Sequence, residues 1–82
     1  MFIKPLRDDL KKLLKRYNLE KKISKQQRLF EQNLLHPSLH TEKLEPKHLH
    51  IYSFRIDKKY RAIFILTPDK KAEIIDINLH YQ

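Results

Sequence analysis

The chain contains no glycine, no cysteine and no tryptophan. Without glycine, tight hairpins lose the residue that most easily takes positive φ, so turns need loops of three or more residues, or Asn, Asp and Lys in strained positions. Without cysteine, neither a disulfide framework nor a Cys-containing zinc site can staple the fold, and stability must come from packing, which suits a reducing cytoplasm. Long apolar runs are also missing: no window approaches the roughly eighteen residues that would span a bilayer, and charges begin at Lys4. Neither export nor membrane insertion is expected. The 82 residues allow one domain, 1–82, able to bury a modest core.

What is abundant is positive charge. Eighteen Lys and Arg against ten Asp and Glu give a formal charge of +8, which attracts polyanions through counterion release. Nucleic acid or an acidic protein is the expected partner, although a lysine-rich surface also serves simply to keep a chain in solution.

PLRDDLKKLLKRYN places Leu6, Leu10, Leu13, Leu14 and Tyr17 on one helical stripe, with Pro5 suited to a first turn. Asp8 and Asp9 early, and Lys15 and Arg16 late, complement the helix dipole. Asn18 is placed to cap a second helix, LEKKISKQQRLFEQNLL, whose stripe is interrupted by Gln26 and Gln27 before His36-Pro37 ends it. Residues 36–50, HPSLHTEKLEPKHLH, have no sustained period and read as a long connector, the kind that often carries function. Three strand-like runs follow, at 51–56, 60–66 and 72–79. With a short strand at Phe2–Lys4, the expected fold is α+β, in the order β-α-α-β-β-β, with a helical hairpin on one face of an antiparallel sheet.

In YSFRIDKKYRAIF, a three-residue DKK loop sets Arg55 opposite Arg61. Continuing the register through TPDKKA sets Arg61 opposite Asn78 and puts Ile74, Asp76, Asn78 and His80 on the arginine face. The other face then carries Tyr52, Phe54, Ile56, Tyr60, Ala62, Phe64, Leu66, Ile75, Ile77 and Leu79, which is a core. Opposed like charges cost a few tenths of a kcal/mol or more unless an anion lies between them. Either Asp76 neutralises Arg61, or the face holds a phosphodiester, with the guanidinium groups forking onto its oxygens and Ser53 and Asn78 as neutral donors. His36/His40 and His48/His50 have spacings that suggest metal ligation, but Pro37 breaks the helix the first would need, and no metal is expected. His80 falls beside the arginines, where a histidine can move protons in RNA cleavage.

HPSLHTEKL, YSFRIDKKYRAIF and a last strand running into His80-Tyr81 resemble the RelE/ParE superfamily of bacterial toxins, and the resemblance covers nearly the whole chain. It implies the RelE-like, microbial-RNase-type fold, a cytoplasmic bacterial setting and a cognate antitoxin partner. It further implies, as in RelE- and YoeB-like members, a metal-independent endoribonuclease that cuts mRNA on the ribosome, with no cofactor. Carried over by position, Arg61 matches the arginine that stabilises the transition state, His80 the acid or base, Tyr81 the residue that packs against the nucleotide, and Glu42 the general base. Glu45 is the rival for that last role, and His40 and His48 are alternative proton carriers. The expected RNA-contacting set is Arg55, Lys43, Lys47, His48, Ser53 and Asn78. ParE relatives share the fold but poison DNA gyrase, so a gyrase poison, or an inactive homologue that only binds its partners, is the alternative.

Overall fold

The computed structural model describes residues 1–79. Helices α1 (Asp8–Arg16) and α2 (Glu20–Gln32) are followed by a 3₁₀ turn at Pro37–Leu39, strand β1 (Glu42–Lys43) and a second 3₁₀ turn at Lys47–Leu49. Strands β2 (Ile51–Arg55), β3 (Tyr60–Leu66) and β4 (Ala72–Leu79) complete one antiparallel sheet in the order β1-β2-β3-β4. The expected α+β architecture forms, with both helices contributing to a core on one sheet face. Its strands are assigned differently. Phe2–Lys4 makes only a parallel bridge, Ile3 to Ala72, in which Lys4 N–H donates to Ala72 O at 2.7 Å. The further strand comes from the connector, where Glu42 pairs with Ser53 and Lys43 with Tyr52. Among the described residues no helix is long and apolar enough to cross a membrane.

Lacking glycine, the chain bends through other residues: Asn18, His40, His50 and Lys70 all have positive φ, at a cost of about 1 kcal/mol each. Asn18 does not cap α2 as expected. It ends α1: its N–H donates to Lys15 O, and the Leu19 N–H donates to Leu14 O at 2.8 Å, the doubled closure of a Schellman motif. Leu14 and Leu19, both buried, supply the apolar contact across it. Pro5 likewise lies ahead of α1, which Arg7 precedes directly. His40 and His50 each terminate one of the 3₁₀ turns. The DKK loop needs no left-handed residue, because one Asp57 oxygen accepts from the N–H groups of both Lys59 and Tyr60 at 2.8 Å.

Leu10 and Leu14 of α1, and Ile23 and Phe30 of α2, bury against Phe54, Ala62, Phe64 and Ile77 of the sheet. Phe30 meets Phe64 edge to face at 5.1 Å. Gln26, which interrupts the apolar stripe of α2, is itself buried. Its Nε2 donates to Arg55 O at 2.8 Å and to Ser38 O at 3.1 Å, tying helix, connector and β2 together.

Arg55 faces Arg61 and Arg61 faces Asn78, as the alternation implies. Beyond Ile63 the register shifts, because Ile63 pairs with Asp76 and Phe64 with Ile74, leaving Ile75 as a bulge. Ile74, expected on the arginine face, is therefore buried in the core, while Ile75, expected in the core, is only half-buried. Arg7 takes the freed Ile75 carbonyl at 3.1 Å. Leu66 and Leu79, also expected in the core, sit at strand ends and are largely exposed.

Two expectations about stability follow from this packing. Gln26→Leu leaves the Ser38 and Arg55 carbonyls without that donor and should lower the unfolding free energy by about 1–3 kcal/mol, read as a shift of the urea midpoint without a change in slope. Burial pushes the Asp57 carboxyl up, but hydrogen bonds from the Lys22 ammonium and the Tyr60 and Lys59 backbone outweigh it and hold its pKa below the ordinary value. A folded pKa depressed in this way contributes stability above the unfolded value of about 4, and that contribution is lost as pH falls through the folded one. Asp57→Asn keeps an acceptor for the turn but not the charge. Its deficit relative to the parent should be full at pH 7 and close as urea midpoints are followed down to about pH 2.

Candidate functional site

The arginine face is built around one held guanidinium. Arg61, on β3, is 5% exposed. Its Nε donates to Ser53 Oγ at 3.0 Å, and one terminal nitrogen donates to the His40 carbonyl. Ser53 can seat it because it lies on the same sheet face, one position diagonal to Arg61 and directly opposite Glu42 of β1. His40 presents its carbonyl because the left-handed conformation there turns the chain out of the 3₁₀ turn toward β1.

Burial lowers the Arg61 pKa, the Glu42 carboxylate opposes that shift, and the neighbouring Arg55 adds to it. Arginine keeps its proton in proteins regardless, so the penalty persists as an affinity for anions. Two of the five guanidinium N–H donors are engaged by Ser53 and His40. Its other N–H donors have no partner among the described residues, on a guanidinium already fixed in orientation. Arg55, half-buried beside it, has no ion-pair partner among the described residues.

The structure brings together Glu42, Arg55, Arg61 and Asn78 on this face. Ser53 joins them in a different role from the one expected: with no exposed surface it cannot touch a phosphate, and it works as the acceptor that orients Arg61. Asp76 is not the counter-charge. One of its oxygens accepts from Ile77 N–H, and the other lies 3.0 Å from the Asn78 amide when that amide is turned to donate. The acid whose field reaches Arg61 is Glu42. Glu45 lies past the end of β1 and is exposed.

Lys43 does not join the face. Alternation turns it to the helix-bearing side, where its ammonium sits 5.9 Å from the Tyr52 ring centre. Lys47 and His48 are exposed on the second 3₁₀ turn. His36 Nδ1 accepts from Ser38 N–H, a turn-capping use. Among the described residues, no three His, Asp or Glu side chains converge as a metal site. His80 and Tyr81 lie outside the described residues. Sequence reasoning missed the His40 carbonyl and Gln26: a backbone acceptor leaves no mark in a residue pattern, and a lone glutamine in an apolar stripe reads as an interruption.

A helical hairpin over one face of an antiparallel sheet is the fold of solved YoeB/ParE toxins, and the chain has that fold. A YoeB/ParE toxin from Agrobacterium tumefaciens superimposes with a TM-score of 0.70 at 18% identity, over 98% of this chain and 96% of that one. The YoeB dimer from Staphylococcus aureus gives 0.69 at 23% identity, covering 98% and 94%. The YoeB–YefM complex from the same organism gives 0.68 at 23%, with the same coverage. No family model matches the sequence, and no curated protein matches it. The fold inferred from HPSLHTEKL and YSFRIDKKYRAIF is thus borne out through three-dimensional likeness.

The seat of Arg61 can be measured as a coupling. Ser53→Ala strands a buried N–H and should cost about 1–3 kcal/mol. Arg61→Met should make the same Ser53→Ala change nearly neutral, giving a double-mutant coupling of about 1 kcal/mol or more in urea unfolding.

Proposed function

We propose that this chain is the toxin of a toxin–antitoxin pair and acts as a metal-independent endoribonuclease on ribosome-bound mRNA. The observation that carries the reading is the guanidinium of Arg61, fixed by Ser53 and His40 and flanked by Arg55 and Glu42 on one sheet face. An oriented cation beside a carboxylate offers two groups that transesterification can use, one to hold the phosphate and one to take the 2'-hydroxyl proton.

In this reading Glu42 removes the proton from a 2'-hydroxyl, whose oxygen attacks the adjacent phosphorus. Arg61 and Arg55 stabilise the charge that gathers on the non-bridging oxygens. The bond from phosphorus to the 5'-oxygen breaks, and that oxygen leaves with a proton supplied by His80, the role its position in the sequence suggests. The products are a 2',3'-cyclic phosphate and a 5'-hydroxyl. Tyr81 packs against the nucleotide, and Asn78 adds a neutral contact beside the phosphate. The partners are the ribosome, mRNA and an antitoxin; the likeness to a YoeB–YefM complex supports the last. The setting is a bacterial cytoplasm.

Inducing the chain in bacteria and mapping mRNA ends tests the reading. New ends should appear with the parent chain. Arg61→Ala should reduce them about 100-fold or more, Glu42→Gln should abolish them, and Glu45→Gln should leave them in place. Growth arrest without new mRNA ends, accompanied by loss of supercoiling activity, would identify a gyrase poison instead.

A further inference from the structure

Tyr17, the residue that closes α1, stacks on Tyr60 at the start of β3, with ring centres 5.3 Å apart and planes inclined by 29°. Phe30, Phe54 and Phe64 pair in the core, but Tyr17 is 44% exposed. The pair forms a wall shared by two hollows. One, of about 570 Å³, is bordered by Lys22, Asp57, Lys58 and Lys59. The other, of about 360 Å³, is bordered by Leu13, Leu79 and Asn78. Both volumes lie in the range of small-ligand sites.

The charge around the pair is one-sided. Among the described residues Asp57 is the only acid bordering the first hollow, and it is already used: one oxygen holds Lys22 at 3.0 Å and the other accepts from the turn. Lys58 and Lys59 are exposed and have no ion pair among the described residues. An exposed aromatic face with unpaired cations beside it suits a base with its flanking phosphates. A protein strand or an apolar helix would leave the two ammonium groups unanswered.

We propose that the Tyr17–Tyr60 pair is a stacking platform for an unpaired base of single-stranded RNA, with Lys58 and Lys59 on the neighbouring phosphates. The proposal deepens the nuclease reading and rests on it for the identity of the polymer. Alternation along β3 puts the Tyr60 ring on the helix-bearing face, away from the adjacent Arg61 guanidinium; the link to the arginine face is Asn78, the cross-strand partner of Arg61, which borders the second hollow on the outermost strand. A strand stacked on the platform would reach the arginine face around the β4 margin, past Asn78. Duplex RNA keeps its base faces stacked and cannot use it.

The test compares binding of the purified chain to an unstructured oligoadenylate of about twelve nucleotides and to duplex RNA of the same length, by fluorescence anisotropy at fixed salt. Tyr17→Leu, which fills the space without a π-face, should weaken single-strand binding about tenfold and leave duplex binding unchanged. Tyr17→Trp should keep the affinity and show quenching on RNA addition, in a chain with no other tryptophan. Lys58→Ala with Lys59→Ala should flatten the salt dependence by about one unit of slope. Unchanged single-strand affinity in Tyr17→Leu, an equal loss for both RNAs, or no quenching in Tyr17→Trp would overturn the platform. The two readings fail separately: new mRNA ends with no effect of Tyr17→Leu on affinity retain the nuclease and discard the platform. Absent mRNA cuts, with single-strand preference lost in Tyr17→Leu, do the reverse.

Discussion

The Gln26 side-chain amide, donating at once to the carbonyls of Ser38 and Arg55, holds three separate pieces of chain in one arrangement. Ser38 belongs to the 3₁₀ turn that ends in His40, and Arg55 belongs to β2, which also carries Ser53. His40 and Ser53 are the two acceptors that hold Arg61. A residue of α2 thus ties down both supports of the central cation. Since the amide is buried, moving either support away from it would leave a donor or acceptor unmatched in a dry environment, which is more costly than the bond is favourable.

That dependence explains which parts of the molecule were legible in the sequence. Strand alternation in YSFRIDKKYRAIF determines which residues share a face, and Arg55, Arg61 and Asn78 lie together as it implies. The helical hairpin is equally plain from its leucine spacing. The bulge at Ile75 is not: in AEIIDINL, isoleucine stands at 74, 75 and 77, so apolar identity cannot say which of the first two turns inward. Asn18 is ambiguous for a related reason, because the residue suits both a cap and a left-handed turn. The short β1 pairing falls in a segment whose prolines and histidines mask it.

Among the candidate residues, the sequence distinguished chemistry better than reach. Ser53 has the right hydroxyl, but its position beneath Arg61 makes it a support and not a contact. Lys43 has the right charge, but the same alternation that gathers the arginines sends it to the opposite side. Glu42 precedes it by one residue and therefore points the right way. The difference between these neighbours is one step of a two-residue period, and it depends on β1 pairing with β2, which composition alone does not announce.

β4 is the outermost strand of the sheet, and such a strand ordinarily offers a row of free amide groups on which another chain can build. Here several groups of that row are taken from within. The Ala72 amide and carbonyl are taken by the N-terminal segment, the Ile75 carbonyl by Arg7, and the Ile77 N–H by Asp76. The bulge adds a local twist that a flat incoming strand would not match. In a small, glycine-free domain these internal bonds withdraw part of the sheet margin from backbone pairing with another chain. At these positions a partner of β4 meets side chains in place of free backbone groups, so recognition there is by side-chain chemistry.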